Sequence, residues 1–323
     1  AGLSAALSAA RSGFGVVLVE KEGALGGYAA KLHKQFTKRP PYQELEDTDI
    51  ATKISGVRSL PNVKVMTNAQ VLEVSGEPGR FSVTIGGNGT TTQVTVGAIV
   101  LATGWRPAET QKYATYGLGK HPNVVTSMDL EAMAAKGMIS RPSDRRPATR
   151  VAFLLCDGEG DDAHLPYGGN VSSLVALKQA TYVRQQSADA SAYIFYGDMQ
   201  TPGQYEYFYK SVQADPGILL SQGQVRGVGE DHEQSVILEV SDTLMGGDIQ
   251  IALDLLVLST GMVPSTLDSE GALGLAYLQG KNVPTTRFGY ADSHFICFPY
   301  ETRRTGIYSA GAVRQAMDLA AST

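Results

Sequence analysis

The chain opens on Ala1-Gly2-Leu3-Ser4-Ala5-Ala6-Leu7, reaches Gly13-Phe14-Gly15 and continues Val16-Val17-Leu18-Val19-Glu20. A small-residue helix led by glycine, then a β-branched strand ending in an acid, is the second half of a βαβ nucleotide-binding unit. Glu20 lies 18 positions after Gly2, near the roughly 20 residues that separate a glycine turn from a ribose-binding carboxylate. Gly2 reads as the last glycine of G-x-G-x-x-G. The first strand and two earlier glycines are missing, so the chain reads as a fragment cut inside its own cofactor loop. A pyrophosphate suits the unpaired N–H groups at such a helix start. A carboxylate at Glu20 would accept hydrogen bonds from ribose hydroxyls and repel a 2′-phosphate.

The 323 residues allow about two domains. At 43% hydrophobic and 18% charged the chain can bury an ordinary core. A net charge of −5 argues against a nucleic-acid surface. No apolar run reaches the length of a spanning helix. Cys156 and Cys297 are too few for a cubane iron–sulfur cluster, which needs about four thiolates. They read as small buried hydrophobes of a reduced cytosol. His33, His121, His164, His232 and His294 have no metal-ligand spacing.

Short buried runs at Val16–Glu20, Ala98–Ala102 and Leu253–Ser259 predict parallel strands. Val151–Leu155, a helix at Ser172–Gln186 and Ala192–Tyr196 predict a second βαβ unit. Arg141–Arg150 before it reads as an exposed linker. Alternating segments at Val63–Val74, Arg80–Ile85 and Thr91–Val96 predict antiparallel strands, as do Gln222–Gly229, Ser235–Val240 and Asp248–Leu253. Phe36–Ile54 reads as a loop plus a short helix. The plan is duplicated: each half ends in a buried strand and a small-Thr-Gly triplet, Ala102-Thr103-Gly104 and Ser259-Thr260-Gly261, with a proline three residues on.

Gly26-Gly27, after the Val19-Glu20-Lys21-Glu22 strand end, would let backbone approach a flat cofactor such as FAD. Near the C-terminus, Thr305–Ala312 reads as a strand entering a helix over Val313–Ala321. The start of that helix would face the flavin ring. Many flavoproteins carry Gly-Asp there; this chain has Gly311-Ala312. After Val151–Leu155 comes Cys156-Asp157-Gly158-Glu159-Gly160-Asp161-Asp162, with no G-x-G-x-x-G and four acids that would repel a pyrophosphate. Nicotinamide binding is not expected there. Lys178, Arg303 and Arg304 are candidate anion or flavin neighbours, with solvated surface charge as the plain alternative.

The stretches VEKEGALGG, VLATGWRP, YGLGKHPNVVTSMDLE, HLPYGGNVSSLVALKQATYV, IFYGDMQTPGQYEYFY and CFPYETRRTGIYSAGAVRQAMD resemble the A subunits of heterodisulfide reductases and related FAD flavoproteins. They are most like the A subunits of quinone-interacting membrane-bound oxidoreductase complexes. The resemblance implies FAD held by Gly2, Glu20, Lys21, Gly26, Gly27, Ala102, Thr103, Gly104, Gly311, Ala312 and Arg314. It implies partners too: an iron–sulfur subunit, adenylylsulfate reductase, and a membrane quinone-linked subunit, with a cytoplasmic chain peripheral to the membrane. The family's PYCSxVCC-like cysteines are matched here by Gly168, Ser172 and Ser173, which leaves the flavin as the evident redox centre.

The expected fold class is therefore α/β, with two Rossmann-like dinucleotide domains of the FAD-dependent disulfide-reductase type and β-hairpin inserts. Residues 1–147 and 263–323 would form a discontinuous FAD domain, and 148–262 a second domain without a nicotinamide fingerprint. The expected function is an electron-transfer subunit in sulfur metabolism. The alternatives are a free-standing NAD(P)H-dependent FAD oxidoreductase and a non-catalytic scaffold.

Overall fold

The computed structural model describes residues 1–155, 167–243, 246–267, 283–294 and 296–323. In chain order the elements are α1 (Gly2–Arg11), β1 (Val16–Val19), β2 (Lys34–Phe36), β3 (Leu45–Asp47), α2 (Ile50–Ser59), β4 (Val63–Met66), β5 (Ala69–Glu77), β6 (Arg80–Gly87), β7 (Thr90–Val96), β8 (Ile99–Leu101) and β9 (Trp105–Arg106). Next come β10 (Val124–Thr126), α3 (Ser127–Ala135), β11 (Arg150–Leu155), α4 (Gly169–Gln186), β12 (Ser191–Tyr196), α5 (Tyr205–Gln213), β13 (Ile218–Glu230), β14 (Val236–Asp242), β15 (Gly247–Leu253) and β16 (Leu255–Ser259). The last four are β17 (Val263–Pro264), β18 (Ser293–His294), β19 (Phe298–Thr302) and β20 (Ile307–Ser309). Two compact units result: residues 1–30, 48–106 and 263–323, and residues 31–47 with 107–262.

In the first unit β1 pairs in parallel with β4, and β8 in parallel with β20. Strands β5, β6 and β7 form an antiparallel sheet. Its inward residues Val74, Phe81, Val83 and Ile85 pack with Leu101 and Ile307, and Val17 and Val19 close the cluster. Helix α1 buries Leu3, Ala6, Leu7 and Ala10, the i, i+3, i+4, i+7 stripe of an amphipathic helix. The expected single strand Val63–Val74 is two strands. The chain turns at Asn68, whose φ of 49° is left-handed, because β4 follows β1 in parallel while β5 must leave for the antiparallel sheet.

The second unit is built on a seven-stranded sheet in the order β10-β16-β11-β12-β13-β14-β15. Strand β13 runs parallel to β12 over Ile218–Gln222, then antiparallel to β14 from Gly223 on. Its core holds Phe153, Leu174, Leu177, Ile194, Phe195, Leu238 and Leu256. Each such side chain contributes roughly 1.5–3 kcal/mol by leaving water.

Two expectations about organisation are corrected here. Residues 107–147, assigned above to the first domain, pack with the second, because β10 pairs in parallel with β16 and α3 rests beside α4. Residues 141–150 are largely exposed, as expected, but they are not a free linker. Arg141 is 3% exposed, its Nη2 donates to the Glu233 carbonyl at 2.5 Å, and the segment folds back through a Ser140–Pro147 bridge. Within 36–54 the sequence also hid a strand pair: β2 and β3 form an antiparallel hairpin belonging to the second unit.

Among the described residues no helix is long and apolar enough to cross a membrane.

Candidate functional site

Three strands of the first unit end at one edge. Helix α1 runs back along β1, so the carboxyl end of β1, at Glu20, lies at the helix N-terminus. A Cβ added to Gly2 would stand 3.2 Å from the Cβ of Ala102, just past the end of β8. The Ala310 amide, just past β20, donates to the Leu101 carbonyl at 2.8 Å. The edge thus gathers Gly2, Ala102-Thr103-Gly104 and Gly311-Ala312. Ligands of α/β sheets bind outside strand carboxyl ends.

The glycines there divide into two kinds. Gly2 and Gly311 serve packing: a Cβ on Gly311 would collide with that of Ala1. One on Gly26 would meet Ala30 at 2.9 Å and Ile50 at 3.1 Å. Gly27 and Gly104 are left-handed, at φ 54° and 70°, and a Cβ on either would meet nothing within 4 Å. These two present bare backbone to open space. Each is followed by an aromatic residue, and the rings of Tyr28 and Trp105 stack with centroids 4.7 Å apart and planes 21° apart. The sequence showed both residues, but nothing in its spacing announced that they meet.

Glu20 follows β1 directly, and its Oε1 accepts from the Glu22 amide at 3.0 Å. Lys21 beside it is exposed. No side chain caps α1, so its first-turn amides are available to a ligand.

The C-terminal expectation is corrected. Val313–Ala321 does not form a helix; a 3-10 turn at Gly311–Val313 is followed by turns. The Asp318 carboxylate accepts from the amides of Ala320 and Ala321 at 2.7 and 3.3 Å, a local bond that competes with an i→i−4 ladder. Arg314 donates to the Pro299 carbonyl at 2.9 Å and lies over the Tyr300 ring at 4.4 Å. Arg303 pairs with Asp292 and Arg304 is 2% exposed. Arg303 is exposed while Arg304 is buried, so the two do not form one open cationic face.

In the second unit Lys178 is likewise not an anion neighbour. Its ammonium meets the Glu131 carboxylate at 3.0 Å and donates to the Lys34 carbonyl at 3.0 Å. Glu131 also accepts from Gln179 Nε2 at 2.9 Å and from the His33 amide at 2.8 Å, and Tyr182 Oη lies 3.5 Å away. A capping box between Thr126 and Asp129 starts α3 and so sets Glu131 toward α4. Burial, then the Glu131 charge, pushes the Tyr182 hydroxyl far above its usual range. Burial, then Lys34, lowers His33. This network pins the β2–β3 hairpin to α3 and α4, and sequence reasoning missed it.

Helix α4 follows β11 as a nucleotide-binding helix would. The Gln200 amide side chain lies on its first turn: a Cβ on Gly169 would stand 3.0 Å from Gln200 Nε2. The Gln200 backbone amide donates to Ser173 Oγ at 3.0 Å. Ser172 and Ser173 are both buried. Cys156, the acidic run through Asp162 and His164 lie outside the described residues.

The two units with β-hairpin inserts have the Rossmann-type α/β fold found in FAD-dependent disulfide reductases. Residues 1–138 match the family model described as pyridine nucleotide-disulphide oxidoreductase. The chain is 29% identical to the iron-sulfur A 2 subunit of CoB–CoM heterodisulfide reductase from Methanopyrus kandleri, an alignment covering 99% of this chain and 60% of that protein. It is 27% identical to the iron-sulfur A subunit of CoB–CoM heterodisulfide reductase from Methanocaldococcus jannaschii, with the same coverage. It therefore spans about 60% of the length of these relatives. In fold it is similar to Lactococcus lactis thioredoxin reductase, with TM-score 0.60, 17% identity, and 98% of this chain and 88% of that one covered.

The residues at the strand ends fit a flavin nucleotide. Uncapped helix amides suit a pyrophosphate and Glu20 suits a ribose. The bare backbone at Gly27 and Gly104 leaves the space that a Cβ would fill. The Gly311 end fits less closely, since its helix is absent and Ala1 occupies the glycine's open side.

Proposed function

We propose that this chain is the FAD-carrying part of an electron-transfer subunit in a heterodisulfide-reductase-like complex. The observation that carries the reading is the gathering of Gly2, Glu20, Gly27 and Gly104 at one edge of strand carboxyl ends. In this reading Glu20 accepts hydrogen bonds from both ribose hydroxyls, and the first turn of α1, opening at Gly2, receives the pyrophosphate. The backbone of Gly26-Gly27 and of Ala102-Thr103-Gly104 lines the flat part of the site, with Lys21 at its mouth and Gly311-Ala312 at its far side. Arg314 stabilises the far side indirectly, by holding β19. When bound, FAD lets two-electron and one-electron carriers exchange electrons.

The relatives are named as A subunits, which implies further subunits of one complex; an iron–sulfur subunit as a partner of this chain is part of the proposal. A membrane quinone-linked subunit, adenylylsulfate reductase as a further partner, a role in sulfur metabolism and a cytoplasmic position at the membrane belong to the same proposal. They rest on the sequence resemblance.

The matched family's description favours a second reading, a free-standing NAD(P)H-dependent FAD oxidoreductase. Gln200 on the first turn of α4 speaks against it, because that turn is where a nicotinamide dinucleotide would place its phosphates.

Reconstitution with FAD followed by gel filtration tests the proposal. A yellow protein is expected, with Glu20→Ala weakening retention about tenfold or more, the loss of hydrogen bonds to a charged acceptor. A colourless protein, or full retention by Glu20→Ala, overturns it.

A further inference from the structure

Trp105 is the single tryptophan of the chain, and its position is over-determined. Its backbone belongs to β9, which pairs antiparallel with β17, Trp105 opposite Pro264. The Gly104 carbonyl just before it accepts from the Ser265 amide at 3.1 Å. Its ring is held by Tyr28 at 4.7 Å. Both aromatics leave the strand-end edge directly after the two glycines whose outer faces are open. A centroid spacing of 4.7 Å admits no third ring between them, so a planar ligand can only lie against an outer face of the pair.

Which part of the cofactor that would be follows from the order of the strand ends. Glu20, the ribose residue of the proposed function, sits at the end of β1, which pairs with β4. Ala102 to Trp105 extend from β8, which pairs with β20 on its own sheet. Gly2, at the start of α1, touches Ala102. The adenosine end of a dinucleotide therefore falls toward β1, its phosphates at α1, and its second ring toward β8 and Trp105.

We propose that Trp105, braced by Tyr28, is the aromatic wall against which the isoalloxazine ring stacks. The inference rests on the FAD reading above and adds a contact residue to it. Trp105 positions the ring; it exchanges no proton and no electron.

Because Trp105 is the only tryptophan, the emission lifetime of the 323-residue chain reports on that site alone. Three probes are titrated in parallel, FAD, riboflavin and ADP, with ligand retention measured separately by gel filtration. FAD and riboflavin are expected to shorten the tryptophan lifetime several-fold in proportion to bound flavin, while ADP leaves it unchanged. Trp105→Leu is expected to weaken FAD binding about threefold to tenfold, the worth of one aromatic pair, with Trp105→Phe restoring most of it. FAD that is retained while the lifetime stays unchanged overturns this inference and leaves the FAD reading standing. Quenching by ADP overturns it as well, since Trp105 would then face the adenine. FAD that is not retained removes both.

Discussion

The carboxylate of Glu131 and the ammonium of Lys178 meet at 3.0 Å with 1% and 4% of their side chains exposed. Two buried charges survive only if hydrogen bonds satisfy what the ion pair leaves over. Gln179, the His33 amide and the Lys34 carbonyl supply those bonds. Glu131→Ala or Lys178→Met should each destabilise the chain by about 3–5 kcal/mol, the usual cost of orphaning a buried charge. Because the two residues act as a unit, Glu131→Ala with Lys178→Met should cost clearly less than the sum of the single losses. Urea unfolding of the wild type, the two single variants and the double variant reads this directly, and additive losses would show that the pair is not coupled.

His33 gives the second unit a dependence on pH. Burial, then Lys34, holds its folded pKa below the ordinary 6.5. A group depressed in the fold contributes stability that is full above its unfolded pKa and is lost as pH falls through its folded pKa. Stability should therefore decline as pH drops below about 6.5, the free histidine value, before the carboxylates titrate. Unfolding midpoints between pH 8 and 5 should fall for the wild type and stay flatter for His33→Gln. Equal slopes would exclude His33 as the source.

The two kinds of glycine at the strand ends should respond differently to alanine. At Gly311, with φ of 72° and the Ala1 Cβ in the way, the substitution combines left-handed strain and overpacking. It should cost about 2–5 kcal/mol in thermal unfolding. At Gly104, where a Cβ meets open space, only the strain of roughly 1–2 kcal/mol remains. Flavin retention should nonetheless suffer at Gly104. A Gly104→Ala chain that keeps full flavin affinity would place the ligand elsewhere.

Gln200 bears on the electron source. With its amide on the first turn of α4, NADH and NADPH should neither bind in calorimetry at micromolar concentrations nor bleach a bound flavin without partner proteins. Gln200→Gly should open that turn and allow at least weak nucleotide binding, in the millimolar range. Rapid bleaching of the wild-type chain by NADH would instead favour the free-standing enzyme.

Some of this was plain in the residues and some was not. The runs at Val16–Glu20, Ala98–Ala102, Val151–Leu155, Ala192–Tyr196 and Leu253–Ser259 all contain strands of the structure, and Ser172–Gln186 falls inside α4. Continuous β-branched runs and helical periodicity are local signals that tertiary packing here reinforces. The helix expected over Val313–Ala321 was read from the glycine-led strand end before it; instead the Asp318 carboxylate satisfies the amides that follow it locally. Arg141–Arg150 is mostly exposed, as its charges promise, yet Arg141 itself finds the Glu233 carbonyl and Asp254 inside the fold.

The sequence by itself determined the strands β1, β8, β11, β12 and β16, most of α4, and the offset that puts an acid at the end of the first strand, since each depends on neighbours within a few turns of chain. Only the tertiary structure decided that residues 31–47 leave the first unit and are held by Glu131, and that Tyr28 stacks on Trp105. It alone decided that Gly2 and Gly311 are packing glycines while Gly27 and Gly104 stay open. His33 and Glu131 are 98 residues apart. No local period encodes such a pair, because its formation depends on the packing of whole elements around it, and the lowest-energy partner for a buried charge is whichever group that packing delivers.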